Sequence, residues 1–492
     1  MIALLMNFDA QIQTILTSSN FVVYIFTEEE DRLEYILKYT VKKLFKQKVL
    51  VWNFIDGYTG SPNQIVDCKQ NPLDALNNIN NYKNTKIKIF LLKDFHHFLT
   101  DISINRKLKN LSNYLKNNYQ YLILCGTNNN IPLELKEYIT FLSMPLPNKQ
   151  EILREIRYIF EQAKINNCYY QEMIAKAYKG FSIQQIRNSI SKLIQKDLSN
   201  KEIITKILEE KKKTIQYTGG LEFHLPTSFN LEIGGLNNLK HWLKIREFSF
   251  TKEAYTYGIK MPKGLLLVGI QGTGKSLSAQ VIARQWNVPL FKLDISQVFA
   301  GILGESENRI TRIINTCSEN SPCVLWIDEI DKIFNEESNN NDSGTKQRVT
   351  NIFLTWLSEK HEEVFILATA NTISKLPIEL LRKGRFDEIF FVDLPNFQER
   401  LQIFAIHLKK IRPITWNKYN IYYLSQMSLG FSGAEIEQSI IEGMYVAFYE
   451  KREFTTKDIQ TAIQRIIPLS KTEKSKILSL RKWGYSGKVN IA

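Results

Sequence analysis

The feature that most constrains this chain is an eight-residue run that begins at Gly269 and reads Gly-Ile-Gln-Gly-Thr-Gly-Lys-Ser. It fits the pattern GxxxxGK[ST], in which glycines let successive backbone N–H groups converge on a phosphate. The lysine neutralises the outer phosphates of a nucleotide, the serine ligates Mg²⁺, and the following helix points its positive end at the anion. Because an apolar run precedes the motif and a helical pattern follows it, the sequence predicts a strand, a phosphate loop and a helix.

A second motif follows in the apolar run 323–327, which ends in Asp328 and Glu329. We expect Asp328 to hold Mg²⁺, directly or through water, and Glu329 to polarise the attacking water as a general base. Two carboxylates after a strand can equally be a solvated pair. Their distance from the phosphate loop favours the catalytic interpretation.

Three further residues are candidates for catalysis. Asn371 ends the strand-like run VFILATAN, where its amide can orient water and contact the γ-phosphate; alone, it would be interpreted as a turn residue.

Arg382 and Arg385 stand three residues apart beside a glycine. Guanidinium groups from a neighbouring subunit suit the charge of a transferring phosphoryl group. An exposed arginine pair or an intrachain salt bridge is the alternative, and the spacing alone leaves the two interpretations nearly even.

Around these motifs, short apolar runs alternate with helical patterns, which predicts an α/β fold of the P-loop NTPase type with a doubly wound, mostly parallel sheet. After Asn396 the pattern becomes helical, and we expect a small lid. The predicted strands are 264–268, 290–293, 323–327, 364–368 and 388–392, and the predicted helices include 275–286 and 307–317.

The two halves of the chain resemble each other. LPNKQEIL at Leu146 matches LPNFQERL at Leu394, and two further matches occur in the same order, with offsets of 243 to 250 residues. The first copy carries Glu28-Glu29-Glu30-Asp31 in place of the phosphate loop, and Lys93 in place of Asp328. Because four carboxylates repel a triphosphate and a lysine cannot ligate Mg²⁺, we predict that the first copy neither binds nor hydrolyses ATP.

The organisation that follows is a degenerate copy of the domain followed by a complete one. Gly219-Gly220 and Pro226 indicate a break between them. The predicted parts are a degenerate domain at 1–213, a linker at 214–228, the α/β domain at 229–396, the helical lid at 397–468 and a basic tail at 469–492.

Composition limits the context. With 44% hydrophobic and 23% charged residues the chain is an ordinary globular protein, and no apolar stretch is long enough for a membrane helix. The five cysteines form no CxxC pair, which disfavours disulfides and zinc. His96 and His97 lack clustered partner ligands in the sequence, so a metal there is disfavoured. No positive charge precedes Arg32, so we expect no secretory or transit leader and a protein that works where it is made.

The net charge of +14 is concentrated at the two ends of the chain. Residues 1–225 carry a basic surplus of 8, and residues 451–492 a surplus of 7. Such ends suit nucleic acid or an acidic partner, although a solvated surface is the more common explanation.

Together the motifs resemble the AAA subgroup of the AAA+ ATPases over about residues 230–468. The resemblance implies that the segment from Ile233 to Leu236 lies against adenine and that the segment from Arg382 to Asp387 supplies arginine fingers in trans. It also implies that Gly430 to Glu435 start a lid helix near the nucleotide, with Ala434 where wider AAA+ proteins have a sensor arginine. The cofactors implied are ATP and Mg²⁺, and the assembly is a ring, usually of six subunits. The predicted nucleotide contacts are Ile233, Gly234, Gly269, Ile270, Gln271, Gly272, Thr273, Gly274, Lys275, Ser276, Leu277, Gly433 and Ala434, and the predicted Mg²⁺ ligands are Ser276 and Asp328.

The stretch 357–395 is similar to AAA proteins encoded in algal plastid genomes and in cyanobacteria, the family of hypothetical chloroplast frame 46. This resemblance places the protein in the plastid stroma, or in the cytoplasm if it is cyanobacterial. Threading AAA machines carry an aromatic residue at the pore position, whereas here Ile302-Leu303 stand there. Packing of this pair in a core is the alternative. Local remodelling or disassembly of a complex is therefore as well supported as threading.

Two functions compete at this point. The leading hypothesis is an ATPase whose homo-oligomeric ring, of six subunits, remodels a protein client and does not span a membrane. The alternative is an ATP-gated module that binds nucleic acid through its basic ends, where Trp483 and Tyr485 stand among lysines and arginines. Docking of this tail on a neighbouring subunit is the favoured explanation for it. A passive scaffold that uses ATP only as glue is disfavoured by the intact Glu329.

Overall fold

The structure is a computed structural model in which the chain divides into two units, Met1–Ile204 and Thr205–Ala492, here called unit 1 and unit 2. The helix α8 (Asn200–Gln216) crosses the boundary between them. The residues described are 8–18, 20–59, 68–82, 89–128, 131–163, 171–194, 200–216, 219–224, 232–250, 252–299, 305–332, 343–360, 363–382, 384–487 and 489–492.

Unit 1 is a six-stranded sheet with helices along it, and its strands run in the order β3-β2-β4-β5-β1-β6. All neighbours are parallel except β3, which is antiparallel to β2. The strands are β1 (Val22–Phe26), β2 (Val49–Asn53), β3 (Gly57–Thr59), β4 (Ile89–Leu92), β5 (Tyr121–Gly126) and β6 (Thr140–Ser143). The helices are α1 (Phe8–Leu16), α2 (Glu30–Phe45), α3 (Pro72–Asn78), α4 (Ile102–Asn118), α5 (Lys149–Gln162), α6 (Gln171–Ala177) and α7 (Ile183–Ile194).

Unit 2 is a seven-stranded sheet in the order β13-β12-β8-β11-β10-β9-β7, followed by a helical lid. Its strands are β7 (Leu221–His224), β8 (Gly264–Gly269), β9 (Leu290–Leu293), β10 (Cys323–Ile327), β11 (Val364–Ala370), β12 (Glu388–Val392) and β13 (Asn490–Ile491). The helices around the sheet are α9 (Asn237–Arg246), α10 (Lys252–Tyr257), α11 (Lys275–Gln285), α12 (Ile295–Phe299), α13 (Glu305–Glu319) and α14 (Ser343–Glu359). The helices that follow are α15 (Phe397–Ile411), α16 (Ile421–Met427), α17 (Gly433–Tyr449), α18 (Thr456–Arg465), α19 (Leu469–Thr472) and α20 (Lys474–Gly484).

Five strands of each sheet have the same order, β6-β1-β5-β4-β2 in unit 1 and β12-β8-β11-β10-β9 in unit 2, which confirms the predicted duplication of one α/β fold. The edge strands beyond them differ, because β3 follows β2 in the chain whereas β7 precedes β8. Both β3 and β7 are antiparallel to their neighbours. Unit 2 adds β13 beyond β12.

The predicted strands 290–293, 323–327 and 388–392 coincide with β9, β10 and β12. Two others are longer than predicted. Strand β11 extends to Ala370, which pairs with Val268 of β8, and β8 extends to Gly269, which pairs with Val392 of β12. The sheet buries both faces, with separate apolar clusters on each side, as a doubly wound parallel sheet requires.

The segment predicted as a linker at 214–228 is partly regular structure. Strand β7 lies within it and pairs antiparallel with β9, with Phe223 opposite Phe291. The alternation Leu-Glu-Phe-His turns Leu221 and Phe223 into the core of unit 2 and leaves Glu222 outside. These four residues therefore extend the sheet and do not act as a free connection.

The segment predicted as a basic tail at 469–492 is also ordered on unit 2. It forms α19, α20 and β13, and β13 pairs parallel with β12. The carboxylate of Asp393 accepts hydrogen bonds from Arg481 Nε at 2.9 and 3.0 Å and from Tyr485 Oη at 2.8 Å. Trp483 and Tyr485 both pack edge-on against the Phe391 ring. The chain thus returns from the lid to the sheet of its own unit.

No helix in the described part of the chain is both long and apolar enough to cross a membrane.

A substitution at Gly484 tests the packing of α20 against the sheet of unit 2. A Cβ added there would lie 2.3 Å from the buried Phe391 ring, so Gly484→Ala must displace either the ring or α20. We expect a cost of about 1–3 kcal/mol from overpacking, and a melting temperature lowered by about 2–4 °C for each kcal/mol. The exposed Lys482→Ala in the same helix is the matched control. Equal melting temperatures for the two variants, measured by differential scanning calorimetry, would contradict the docking of α20.

Candidate active site

The phosphate loop begins where the buried strand β8 ends. Gly272 and Gly274 adopt φ values of +74° and +91°, in the region that only glycine enters without strain. Gly269 lies so close to β12 that a Cβ would be 2.0 Å from the carbonyl oxygen of Val392. Helix α11 then starts at Lys275, and its first turn faces the loop. The glycine spacing read in the sequence is therefore required by backbone conformation and by a close strand contact.

Lys275 is buried, and its ammonium group is held by the loop itself. Nζ donates to the carbonyl oxygens of Gly269 at 2.8 Å and Ile270 at 2.6 Å. Burial lowers the pKa of Lys275 to about 8, although Asp328 and the carboxylates beside it act in the opposite direction. A desolvated ammonium with only two neutral acceptors gains strongly from a triphosphate placed in the loop.

Ser276 and Asp328 meet as the predicted Mg²⁺ ligands must. Ser276 Oγ donates to Asp328 Oδ1 at 2.9 Å. Two neighbouring oxygen ligands of an octahedral Mg²⁺ at about 2.1 Å lie roughly 3 Å apart, so this spacing fits the ion. The same Asp328 oxygen accepts from Thr369 Oγ1 at 2.6 Å. The ion would supply positive charge next to the nucleotide phosphates, and Thr369 keeps the carboxylate turned toward it.

Glu329 is held from three sides. Its backbone N–H donates to Thr369 Oγ1 at 2.9 Å, and its φ of +51° turns the chain sharply after β10. Its Oε1 accepts from Asn371 Nδ2 at 3.0 Å, and its Oε2 forms an ion pair with Lys332. Sequence analysis missed Thr369, which links both carboxylate residues. Its position two residues before Asn371, in the run VFILATAN, was the only available signal.

The lid contacts both the phosphate loop and the segment that contains Gly234 and Gly235. The N–H of Ala434, in the first turn of α17, donates to the carbonyl of Gly272 at 3.0 Å. Gly234 packs against Ile403 of α15, where a Cβ would lie 2.6 Å away, and the N–H of Gly235 donates to Gln402 Oε1 at 2.8 Å. The segment that resembles an adenine-binding element is therefore fixed against the lid by its glycines.

These elements enclose one cavity of about 550 Å³ in unit 2. Of the predicted residues, Gly269 and Ile270 lie outside its lining, since their carbonyls hold Lys275, and Arg382 and Arg385 are also outside it. The lining is Glu232, Ile233, Gly234, the run Gln271, Gly272, Thr273, Gly274, Lys275, Ser276 and Leu277, then Asp328, Glu329, Thr369, Asn371, Ile403, Ile406, His407, Gly433, Ala434 and Glu437.

His407 and Glu437 complete the lid side of the cavity, and sequence analysis did not single them out. His407 Nδ1 lies 3.4 Å from Glu437 Oε1, and burial lowers the pKa of His407 while Glu437 raises it. They stand on α15 and α17 without a motif around them, so only the packing of the two helices brings them to the cavity.

The two arginines sit apart from this cavity. Arg385 Nε donates to Ser358 Oγ at 3.3 Å, and its NH1 is buried without a hydrogen-bond partner in the described residues. Arg382 follows a short 3₁₀ turn (Ile378–Leu381). Neither side chain contributes to the site of its own unit.

Comparison with known proteins agrees with this geometry. Residues 265–394 match the family described as ATPase family associated with various cellular activities (AAA), and residues 8–144 match the SpoVK-like AAA ATPase, N-terminal domain. The uncharacterised AAA domain-containing protein ycf46 of Gracilaria tenuistipitata var. liui is 48% identical over 491 residues, which are 99% of this chain and 100% of that protein. The chain belongs to the AAA ATPase family.

Other relatives fall into two groups, those that match nearly the whole chain and those that match about half of it. The ycf46 protein of Guillardia theta is 46% identical over 490 residues, covering 99% of this chain and 97% of that protein. The ATP-dependent zinc metalloprotease FtsH of Parabacteroides distasonis is 34% identical over 244 residues, 48% of this chain and 35% of that protein. A proteasome-activating nucleotidase of Saccharolobus islandicus is 34% identical over 244 residues, 48% of this chain and 61% of that protein. Relatives named ycf46 thus match both AAA units, and the others match half of the chain.

In the AAA unit 1 a salt-bridge network occupies the place of the phosphate loop. Three residues separate β1 from α2, against five between β8 and α11. Arg32 donates to Glu29 at 2.7 Å, to Glu151 at 2.9 Å and to the carbonyl of Pro145 at 2.8 Å. Glu29 also accepts from the N–H of Ile183, at the start of α7, at 2.6 Å. These contacts join the β1 loop to α5 and α7 without a ligand.

The second motif of unit 1 has likewise changed. Lys93 stands where Asp328 stands in unit 2, and its Nζ pairs with Glu34 at 2.7 Å and Asp31 at 3.5 Å. Asp94, at φ +54°, turns the chain into a 3₁₀ segment (Phe95–Phe98), as Glu329 does in unit 2. A lysine at this point excludes the carboxylate that Mg²⁺ requires.

Sequence analysis found no partner ligand for His96 and His97, and the structure corrects this. One ring nitrogen of each histidine and a carboxylate oxygen of Asp94 lie within 4.8 Å of one another. The two rings lie with centroids 3.9 Å apart at an angle of 36°. The structure therefore groups three potential metal ligands at this turn.

The lowered pKa of Lys275 generates a prediction about pH. Since this pKa is about 8 and nucleotide phosphates favour the charged form, ATP binding takes up a proton above about pH 8. ATP affinity falls as the pH rises above 8, by up to about tenfold per pH unit. Calorimetry at pH 8.5 to 9 in two buffers with different ionisation enthalpies measures the uptake.

Lys275→Arg is the control, because a guanidinium stays charged over this range and removes the proton uptake. Wild-type protein that binds ATP with the same heat in both buffers would contradict the prediction.

Proposed function

We propose that unit 2 binds ATP with Mg²⁺ and hydrolyses it, and that a homo-oligomeric ring of six chains uses this cycle to remodel or disassemble a protein client. The observation that supports the chemistry is the convergence of Lys275, Ser276, Asp328, Glu329 and Asn371 on one cavity. A nucleoside triphosphate needs a cation for its outer phosphates, a metal ligand and a base for water. This cavity supplies them from the start of α11 and from the residues that follow β10 and β11.

Each group has its own task in this proposal. Lys275 exchanges the carbonyls of Gly269 and Ile270 for the β- and γ-phosphates. Ser276 and Asp328 would hold Mg²⁺, which would supply positive charge next to the phosphate oxygens. Glu329 accepts the proton of the attacking water, and Asn371 Nδ2, already 3.0 Å from Glu329, orients that water against the γ-phosphate.

The ring hypothesis is supported by the absence of an arginine from the described lining of the cavity. Its lining contains one cation, Lys275, whereas phosphoryl transfer gains from guanidinium groups on the transition state. Arg382 and Arg385 lie outside the cavity of their own unit. We propose that both arginines act in the site of a neighbouring chain.

A protein is proposed as the client because two of the relatives that match half of the chain are named for work on proteins. One is an ATP-dependent zinc metalloprotease and another a proteasome-activating nucleotidase. Whether the client is threaded or remodelled locally depends on Ile302 and Leu303, which lie outside the described residues. The alternative of nucleic-acid binding loses part of its support, since Trp483 and Tyr485 pack on Phe391.

Unit 1 is proposed to be a structural part that binds no nucleotide. The side chains of its Arg32–Glu29 pair are 9% and 8% exposed, Glu29 also accepts from the N–H of Ile183, and the pair spans the place where phosphates would lie. The relatives named ycf46 support a plastid location, with the stroma proposed; a cyanobacterial protein would instead be cytoplasmic.

Glu329→Gln tests the ATPase proposal. The amide keeps the shape and the contact with Asn371 but cannot accept a proton, so turnover should fall by about a hundredfold or more. ATP should remain bound at one molecule per chain, all of it in unit 2. Phosphate release and light scattering, measured on both proteins with Mg²⁺–ATP, give turnover and particle mass. A variant that hydrolyses at the wild-type rate, or binds two nucleotides per chain, would refute this assignment.

The arginine proposal has a separate test. Arg382→Ala and Arg385→Ala should each retain ATP affinity and lose turnover by about a thousandfold, because a guanidinium on the transferring phosphoryl group is worth that much. Mixing Arg385→Ala with Glu329→Gln chains should restore some activity, since a neighbour then supplies the missing arginine to an intact Glu329. Normal hydrolysis by both arginine variants would exclude intersubunit sites.

A further inference from the structure

Glu329 has a second polar partner that the roles assigned above do not use. The residues after β10 form a 3₁₀ turn (Ile330–Lys332), in which the N–H of Lys332 donates to the carbonyl of Glu329 at 2.9 Å. This turn directs the Lys332 side chain back over Glu329, where Nζ forms an ion pair with Oε2. Oε1 is meanwhile occupied by Asn371 at 3.0 Å. Both carboxylate oxygens are thus engaged.

The turn is fixed, but the lysine side chain is not enclosed. Ile330 is fully buried in the core of unit 2, and Asp331 Oδ2 accepts from the N–H of Thr372 at 3.1 Å. These two anchors hold the backbone of Lys332 in place. Its side chain is 71% exposed and that of Glu329 is 32% exposed. Lys332 can therefore leave Glu329 by rotating into solvent, without any movement of the turn.

A general base needs a free oxygen within reach of the water that it deprotonates. An ammonium group on Oε2 occupies one such oxygen and opposes transfer of a proton to it, while Asn371 covers the other. The resting arrangement of Glu329 is therefore unsuited to catalysis. Exposed ion pairs are weak, so the release of Lys332 slows turnover by about two- to fivefold at most.

We propose that Lys332 is a positioning residue that holds Glu329 in its resting conformation, so that each ATP turnover requires Lys332 to release it. This inference rests on the proposed ATPase function of unit 2. It assigns Lys332 no contact with the nucleotide. The residue acts only through Glu329.

Charge-removing and charge-keeping variants separate this role from a structural one. Lys332→Met should raise kcat at saturating Mg²⁺–ATP by about two- to fivefold at low ionic strength, while Lys332→Arg keeps the pair and the wild-type rate. The matched control is Lys375→Met, an exposed lysine of the neighbouring 3₁₀ turn (Ile373–Lys375) with no ion pair among the described residues. It loses the same charge and should leave kcat unchanged.

The dependence of kcat on ionic strength separates an ion-pair effect from a packing effect, because salt screens charges and leaves packing unchanged. Raising salt from about 20 mM to about 300 mM screens the exposed pair and should bring the wild-type kcat toward that of Lys332→Met. Lys332→Met has no ion pair to screen, so its kcat should change less over this salt range than the kcat of the wild type or of Lys375→Met. Nucleotide affinity and particle mass, measured in parallel, exclude effects on binding and assembly.

The outcomes distinguish the two proposals. A kcat of Lys332→Met equal to or below that of Lys375→Met, in a wild-type protein that hydrolyses ATP, overturns the role of Lys332 and leaves the ATPase intact. Absence of hydrolysis in every protein overturns the ATPase proposal and this inference with it.

Discussion

The site of unit 2 depends on the parallel register of three neighbouring strands. Because β8, β11 and β10 run in one direction and pair without interruption, their carboxyl ends deliver the phosphate loop, Thr369 and Asp328 to the same edge of the sheet. Thr369 Oγ1 then joins two strands, accepting from the N–H of Glu329 and donating to Asp328. Buried apolar side chains on both faces of the sheet leave no freedom for a slip in this register, since one residue would turn every side chain to the opposite face.

The two AAA units differ in the partners of the cationic side chain at the phosphate-loop edge of the sheet. In unit 2 the buried Lys275 has only carbonyl partners, and the cavity beside it can accept a polyanion. In unit 1 the cation at the corresponding edge is Arg32, which is already paired with Glu29 and Glu151. Glu29 also accepts a hydrogen bond from the N–H of Ile183. A buried charge must be compensated. In unit 1 the carboxylates of the chain compensate Arg32, whereas in unit 2 the cavity beside Lys275 leaves room for an anionic ligand.

Much of the site could be predicted because it is local. The glycines of 269–274, the carboxylates after β10 and the amide after β11 stand at fixed distances along short segments, and each spacing reflects a backbone requirement. Strands β9, β10 and β12 were likewise predicted to the residue, because continuous apolar runs between turns specify buried parallel strands. The predictions were weaker where pairing decides the structure: β7 and β13 are four and two residues long, and only the edges of the sheet make them strands.

The sequence alone therefore determined the duplicated α/β fold, the complete motifs of unit 2 and their loss in unit 1, since each is written in neighbouring residues. Only the tertiary structure decided that Thr369 links the two carboxylate residues, that His407 and Glu437 close the cavity, and that Lys332 covers Glu329. It also decided that the C-terminal segment docks on Asp393 and Phe391. The physical reason is that these contacts join residues whose meeting depends on strand register, a left-handed turn and helix packing, and no local pattern of residue types encodes such distances.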